Sequence, residues 1–122
     1  MNVIKALKMI KKLEKMQEEV AKTGPVTGNL FRDQRVIKAQ EEVFNKLKEA
    51  EGALGDYIEE FIRARQGFWE LVGHRVEGEP EAIAVGRLWI IRVHEMTENY
   101  IIAEISDPDT GRVRGTYKIP TF

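Results

Sequence analysis

From Val36 to Leu71, apolar and aromatic side chains recur in alternating steps of four and three. The positions are Val36, Gln40, Val43, Leu47, Ala50, Leu54, Tyr57, Phe61, Ala64, Phe68 and Leu71, with Gln40 the one polar member. That spacing keeps a single stripe on one side of an α-helix and has no counterpart in a strand. Ile37, Phe44, Ile58 and Val72 add a flanking column, broken by Glu51 and Arg65, so the apolar face is wider than a two-stranded coiled coil needs. Gly52 and Gly55 lie inside the run, and each costs a helix interior roughly 1 kcal/mol. Asp56 with Glu59 three residues later also has the form of a capping box, which would end one helix near Glu51 and start another. The stripe stays in phase across both glycines, which a loop has no reason to preserve. A continuous helix from about 30 to 72, bent at the glycines, is therefore the preferred reading.

A shorter helix precedes it. Val3, Ala6, Leu7, Ile10, Leu13 and Val20 share one side of a helix over residues 2–22, interrupted by Gln17. Gly24-Pro25 suits its end, Thr23 to Asn29 reads as a turn, and Asn29 can cap the next helix. Folded back antiparallel, the first helix covers the second only to about Ala50. Leu54, Tyr57, Phe61, Phe68 and Leu71 are left for the rest of the chain or for another molecule, and they form the candidate protein interface.

The net charge of -1 conceals a segregation. Residues 1–22 hold six lysines against three glutamates, whereas residues 23–72 and 73–122 each carry a small acidic excess. Lys5, Lys8, Lys11, Lys12, Lys15 and Lys22 share an arc of about 120° opposite the apolar side. This stripe is read first as a solvated face. As a binding surface, Lys5, Lys8, Lys12 and Lys15 would meet an acidic protein or sister subunit, ahead of nucleic acid or a membrane. Arginine, tryptophan and phenylalanine, the usual residues of phosphate clamps and interfacial anchors, are absent from it.

After Gly73 the composition changes. Residues 77–80 form a linker, Ile83 to Val85 and Arg87 to Glu95 read as strands with a bulge at Gly86, and Glu98-Asn99 turns the chain into Tyr100 to Ile105. Ser106 to Gly111 is a hairpin loop. Val113, Gly115, Tyr117 and Ile119 then alternate with Arg112, Arg114, Thr116 and Lys118, which predicts one face on the helices and one mostly in water. Arg112, Arg114 and Lys118, joined by Arg92 near Tyr100 or Trp89, form a candidate basic patch for an anionic partner.

The expected fold is α+β. One domain over residues 1–122 comprises a long, coiled-coil-like helical hairpin (1–73) and a small antiparallel meander of three or four strands (74–122). Without cysteine, disulfides, thiolate metal sites and cysteine nucleophiles are excluded. His74 and His94 lack metal-ligand spacing, Pro108 spoils any calcium loop at Asp107 and Asp109, and the sole serine, Ser106, sits in a turn. No catalytic residue, metal or cofactor is expected. No apolar run reaches the ~18 residues of a membrane span, and the charge from Lys5 onward does not suit a secretory signal. The expectation is a cytoplasmic protein, or part of a virion or large assembly. Its expected role is a non-enzymatic interaction or assembly protein, a homo-oligomer or docked to a protein partner, with nucleic-acid binding as the alternative.

Overall fold

The computed structural model describes residues 2–22, 30–74 and 76–122. The expected turn at 23–29 and the Asn29 cap lie outside them. Helix α1 spans Val3–Lys22. Asn2 caps it, its Oδ1 accepting the Lys5 N–H at 2.8 Å. Val3, Ala6, Leu7 and Ile10 are buried, while Leu13, Gln17 and Val20 are half-buried, so the anticipated stripe is the packed one.

Helix α2 spans Leu30–Ala64 and runs unbroken through both glycines. Gly55 is there for packing. A Cβ at this position would collide with the backbone carbonyl of Val85, whereas one at Gly52 would meet nothing within 4 Å. Glu59 does not close a capping box either. Its carboxylate reaches across the structure and accepts the backbone N–H of Leu88 (2.9 and 3.1 Å) and of Trp89 (2.9 Å).

The helix ends eight residues short of the expected boundary, and the correction has a local cause. The Arg65 N–H and the Trp69 indole N–H both donate to the carbonyl of Ile62, at 3.1 and 3.0 Å. The last turn of α2 is thereby capped by a side chain from beyond the helix. A 3₁₀ turn at Gln66–Phe68 follows, and the chain continues as strand β1, Glu70–Gly73. Phe68 and Leu71 kept the helical spacing, but Leu71 lies opposite Tyr117 in a sheet.

Strands β2 (Ala82–Val85), β3 (Ile90–Met96), β4 (Tyr100–Ser106) and β5 (Val113–Pro120) form the meander. With β1 on the far side of β5, the sheet is antiparallel and five-stranded, in the order β1-β5-β4-β3-β2. The architecture is α+β, two helices followed by this sheet. The fifth strand is the one hidden in the helical period. Gly86 marks a tight turn instead of a bulge, its N–H donating to Trp89 O at 2.9 Å. The register shifts instead fall between Val93 and Glu95, between Leu71 and Gly73, and at the Ile105–Ser106 step.

Both helices cover one face of the sheet. Val3, Ala6, Leu7, Ile10, Ile58 and Ile62 meet Ala82, Ala84, Ile91, Val93, Ile101, Ala103, Ile105 and Ile119 in one core. At roughly 1.5–3 kcal/mol for each large aliphatic side chain, this interior supplies most of the folding drive. Among the described residues, none between Ile10 and Leu54 belongs to that core. There the hairpin packs helix on helix, with Leu47 buried and Val20 beside Phe44.

The opposite face is not open to water as expected. Glu104, Ser106 and Thr116 point away from the helices yet are buried, Ser106 and Thr116 completely. The topology accounts for this. β1 and β2 lie at opposite edges, so the connection 74–81 has to cross four strand spacings, about 19 Å. Eight residues reach that far at ~3.3 Å each. The other face is filled by the helices, so this strap covers Thr116, Glu104 and Ser106. The Thr116 hydroxyl donates to the carbonyl of His74 at 3.5 Å, where the crossing begins, and the Glu81 N–H donates to Val93 O at 2.8 Å, where it ends.

Candidate interaction surface

Several strongly exposed apolar side chains lie along the open edge of β1 or close to it. Phe68 is 74% exposed, Leu71 67%, Val72 51% and Phe122 88%. Phe68 and Phe122 line a cleft of about 350 Å³ together with Glu70, Asn99, Tyr100, Lys118 and Pro120. The floor of the cleft is polar and ordered. The Lys118 ammonium lies 4.5 Å from the centre of the Tyr100 ring, and the Tyr100 hydroxyl donates to Glu95 Oε1 at 3.2 Å. The hydrogen bond to Glu95, followed by its charge, pushes the Tyr100 phenol above its ordinary value. Glu70 and Lys118 are direct cross-strand neighbours.

Only two of the five expected interface residues belong to this surface. Phe68 and Leu71 are exposed, whereas Leu54, Tyr57 and Phe61 pack half-buried against the chain's own core. As α2 passes from α1 to the sheet, its buried stripe rotates by one residue, from 57 and 61 to Ile58 and Ile62. Phe61 is covered further by the Arg65 guanidinium, 3.6 Å from the ring centre. Val72 and Phe122 complete the surface. The helical period assigns Val72 to the flanking column, and nothing in the local sequence marks Phe122 as a neighbour of Phe68.

The candidate cations separate into three groups. Lys5, Lys8, Lys12 and Lys15 are exposed on α1, and among the described residues none of them forms an ion pair. Arg112 and Arg114 border a second cleft with His74 and Asp107, near the 107–112 loop. Lys118 is held over Tyr100, further along β5. Arg92 belongs to neither place: its Nη1 donates to Ser106 Oγ at 3.0 Å and lies 3.8 Å from Glu104. Trp89 is in the core, edge-on to Trp69 at 5.6 Å. The expected single patch therefore does not assemble.

Two polar constellations escaped sequence reasoning. Under the strap, His94 Nε2 lies 3.9 Å from Glu104 Oε2, beside the Arg92–Ser106 bond. Between the helices, Glu14 and Glu51 face each other across a groove they share with Lys48, Ile83 and Val85. Burial raises both carboxyl groups above the ordinary glutamate value. The charges of Glu51 and Glu18 add to the effect at Glu14, while Gln17 and Lys48 oppose it at Glu51. Among the described residues, no three histidine, aspartate or glutamate side chains are placed to hold a metal ion, and no helix is long and apolar enough to cross a membrane.

Comparisons with family models, with curated proteins and with solved structures gave no match to this chain. The functional reading therefore rests on geometry alone.

Proposed function

We propose that this chain is a non-enzymatic assembly protein that pairs with a second copy of itself along the β1 edge. The observation that carries the reading is the row of exposed apolar side chains Phe68, Leu71 and Val72, with Phe122 beside Phe68, along a strand whose outer edge has no neighbouring strand among the described residues. Unpaired edge strands seek a partner strand, and although the register of β1 shifts between Leu71 and Gly73, it presents Leu71 and Val72 at its centre. The edge is also self-complementary. A two-fold axis through the middle of β1 sets Leu71 opposite Val72 of the second copy and Glu70 opposite Gly73, so no like charges meet. A cysteine-free assembly of this kind suits the reducing cytoplasm, free or within a larger particle.

The test is the mass in solution at micromolar concentration in ~1 M salt, where surface charges are screened within ~3 Å. The wild type is expected to be a dimer. Leu71→Lys and Phe68→Ser, both at exposed positions, are expected to give folded monomers with unchanged circular dichroism. A monomeric wild type, or a dimer indifferent to both substitutions, would overturn the reading.

A further inference from the structure

The lysine stripe of α1 and the glutamates of the strap lie on opposite sides of the molecule. Val3, Ala6, Leu7 and Ile10 turn one side of α1 to the sheet, so Lys5, Lys8, Lys12 and Lys15 point away from it. The strap crosses the far face of the same sheet, and its Glu77, Glu79 and Glu81 are exposed. In sequence the strap holds these three glutamates against one arginine. The described ion pairs are Arg87–Asp56, Arg92–Glu104 and His94–Glu104, and none involves a stripe lysine or a strap glutamate. The two charge sets are thus opposite in sign, and among the described residues neither forms an ion pair. A full sheet-and-helix thickness separates them, so they cannot meet within one chain.

We infer that the α1 stripe is a docking surface for the strap of another copy of this chain, a head-to-tail contact distinct from the β1 edge. The charge signs select a carboxylate surface as the occupant. The stripe contains no arginine, the residue suited to forked phosphate contacts, and its apolar border is Met9 and Met16, each about two-fifths exposed. The net charge of -1 leaves little overall repulsion between copies. A contact that joins unlike faces is heterologous, so it propagates into a ring or filament instead of closing at two.

Charge reversal tests this without touching the core or the β1 edge. Lys5→Glu, Lys8→Glu, Lys12→Glu and Lys15→Glu together make both faces acidic; Glu77→Lys with Glu79→Lys and Glu81→Lys makes both basic. At low salt the wild type is expected to sediment with a mass that rises with concentration. This rise should disappear at ~1 M salt, where the screening length is ~3 Å. Each variant alone should lose the rise, and mixing the two in equal amounts should restore it, because each then offers the face the other lacks. A wild-type mass independent of salt overturns the inference. So does a mixture that stays unassociated, or a variant of either face that still associates on its own as the wild type does. Binding of single-stranded RNA or of anionic vesicles by the stripe, with no rescue on mixing, would assign the lysines to another partner and overturn it too. The β1-edge dimer is read separately in high salt, so failure of either contact leaves the other measurable.

Discussion

Glu59→Ala should be among the most damaging single substitutions in this protein. Glu59 is 5% exposed and its carboxylate accepts the N–H groups of Leu88 and Trp89 at 2.9 to 3.1 Å, which joins the C-terminal part of α2 to the β2–β3 turn. Gly86 sits against the same carboxylate with no room for a Cβ, so the turn is shaped around the glutamate. Hydrogen bonds to a charged group contribute about 1.5–3 kcal/mol each, and an abandoned buried N–H costs about 1–3 kcal/mol. Trp89 stays buried in the variant, while Leu88 is half-exposed and regains water, so the net loss should be about 3–4 kcal/mol. For a chain of this size that lowers the melting temperature by about 10–15 °C. Glu59→Gln keeps one acceptor oxygen but turns an NH₂ toward a donor, and should lose about half as much. Urea unfolding followed by tryptophan fluorescence gives the values, since Trp89 and Trp69 report on the corner. Exchange of the Leu88 and Trp89 amides should accelerate in both variants. A Glu59→Ala protein within 1 kcal/mol of wild type would refute the argument that this carboxylate clamps the turn.

The two glycines of α2 should respond to alanine with opposite signs. Gly52→Ala should stabilise by about 0.5–1 kcal/mol, since it lies in open space within a helix. Gly55→Ala should destabilise by about 2–4 kcal/mol, because the helix has to retreat from the Val85 backbone; equal effects in urea unfolding would refute the assignment. The Glu14–Glu51 pair should make stability pH-dependent. A carboxyl group whose folded pKa is raised binds its proton more tightly folded than unfolded. Its stabilising contribution is complete below the ordinary glutamate value of 4.5 and is lost as pH rises through the raised value. Glu14→Gln should therefore raise the urea midpoint at pH 7 and flatten its dependence on pH just above 4.5. A profile parallel to that of the wild type would refute the raised ionisation.

The α1 stripe, the continuity of α2 through Gly52 and Gly55, and the order of β2 to β5 were legible in the sequence. Each depends on local periodicity or turn chemistry: 3.6-residue spacing for the helices, two-residue alternation for β5, and Asp107-Pro108 with Gly111 for the last hairpin. The candidate surface was legible only in part. Phe68 and Leu71 were marked as apolar residues without a partner, but as members of a helix. Phe122 comes beside Phe68 only because β1 pairs with β5.

What the tertiary structure alone decided are the relations between residues far apart in the chain. Trp69 ends α2 by reaching the Ile62 carbonyl, a choice between helix and strand that the continuing apolar spacing of Phe68 and Leu71 does not reveal. Glu59 looks like a helix cap until Leu88 and Trp89 arrive from 29 and 30 residues away. Thr116, Glu104 and Ser106 belong to a solvent-facing pattern until the connection between opposite sheet edges passes over them. Periodicity records which side of an element is apolar. It carries no information about which element will cover that side, because the covering is set by strand order and chain crossing.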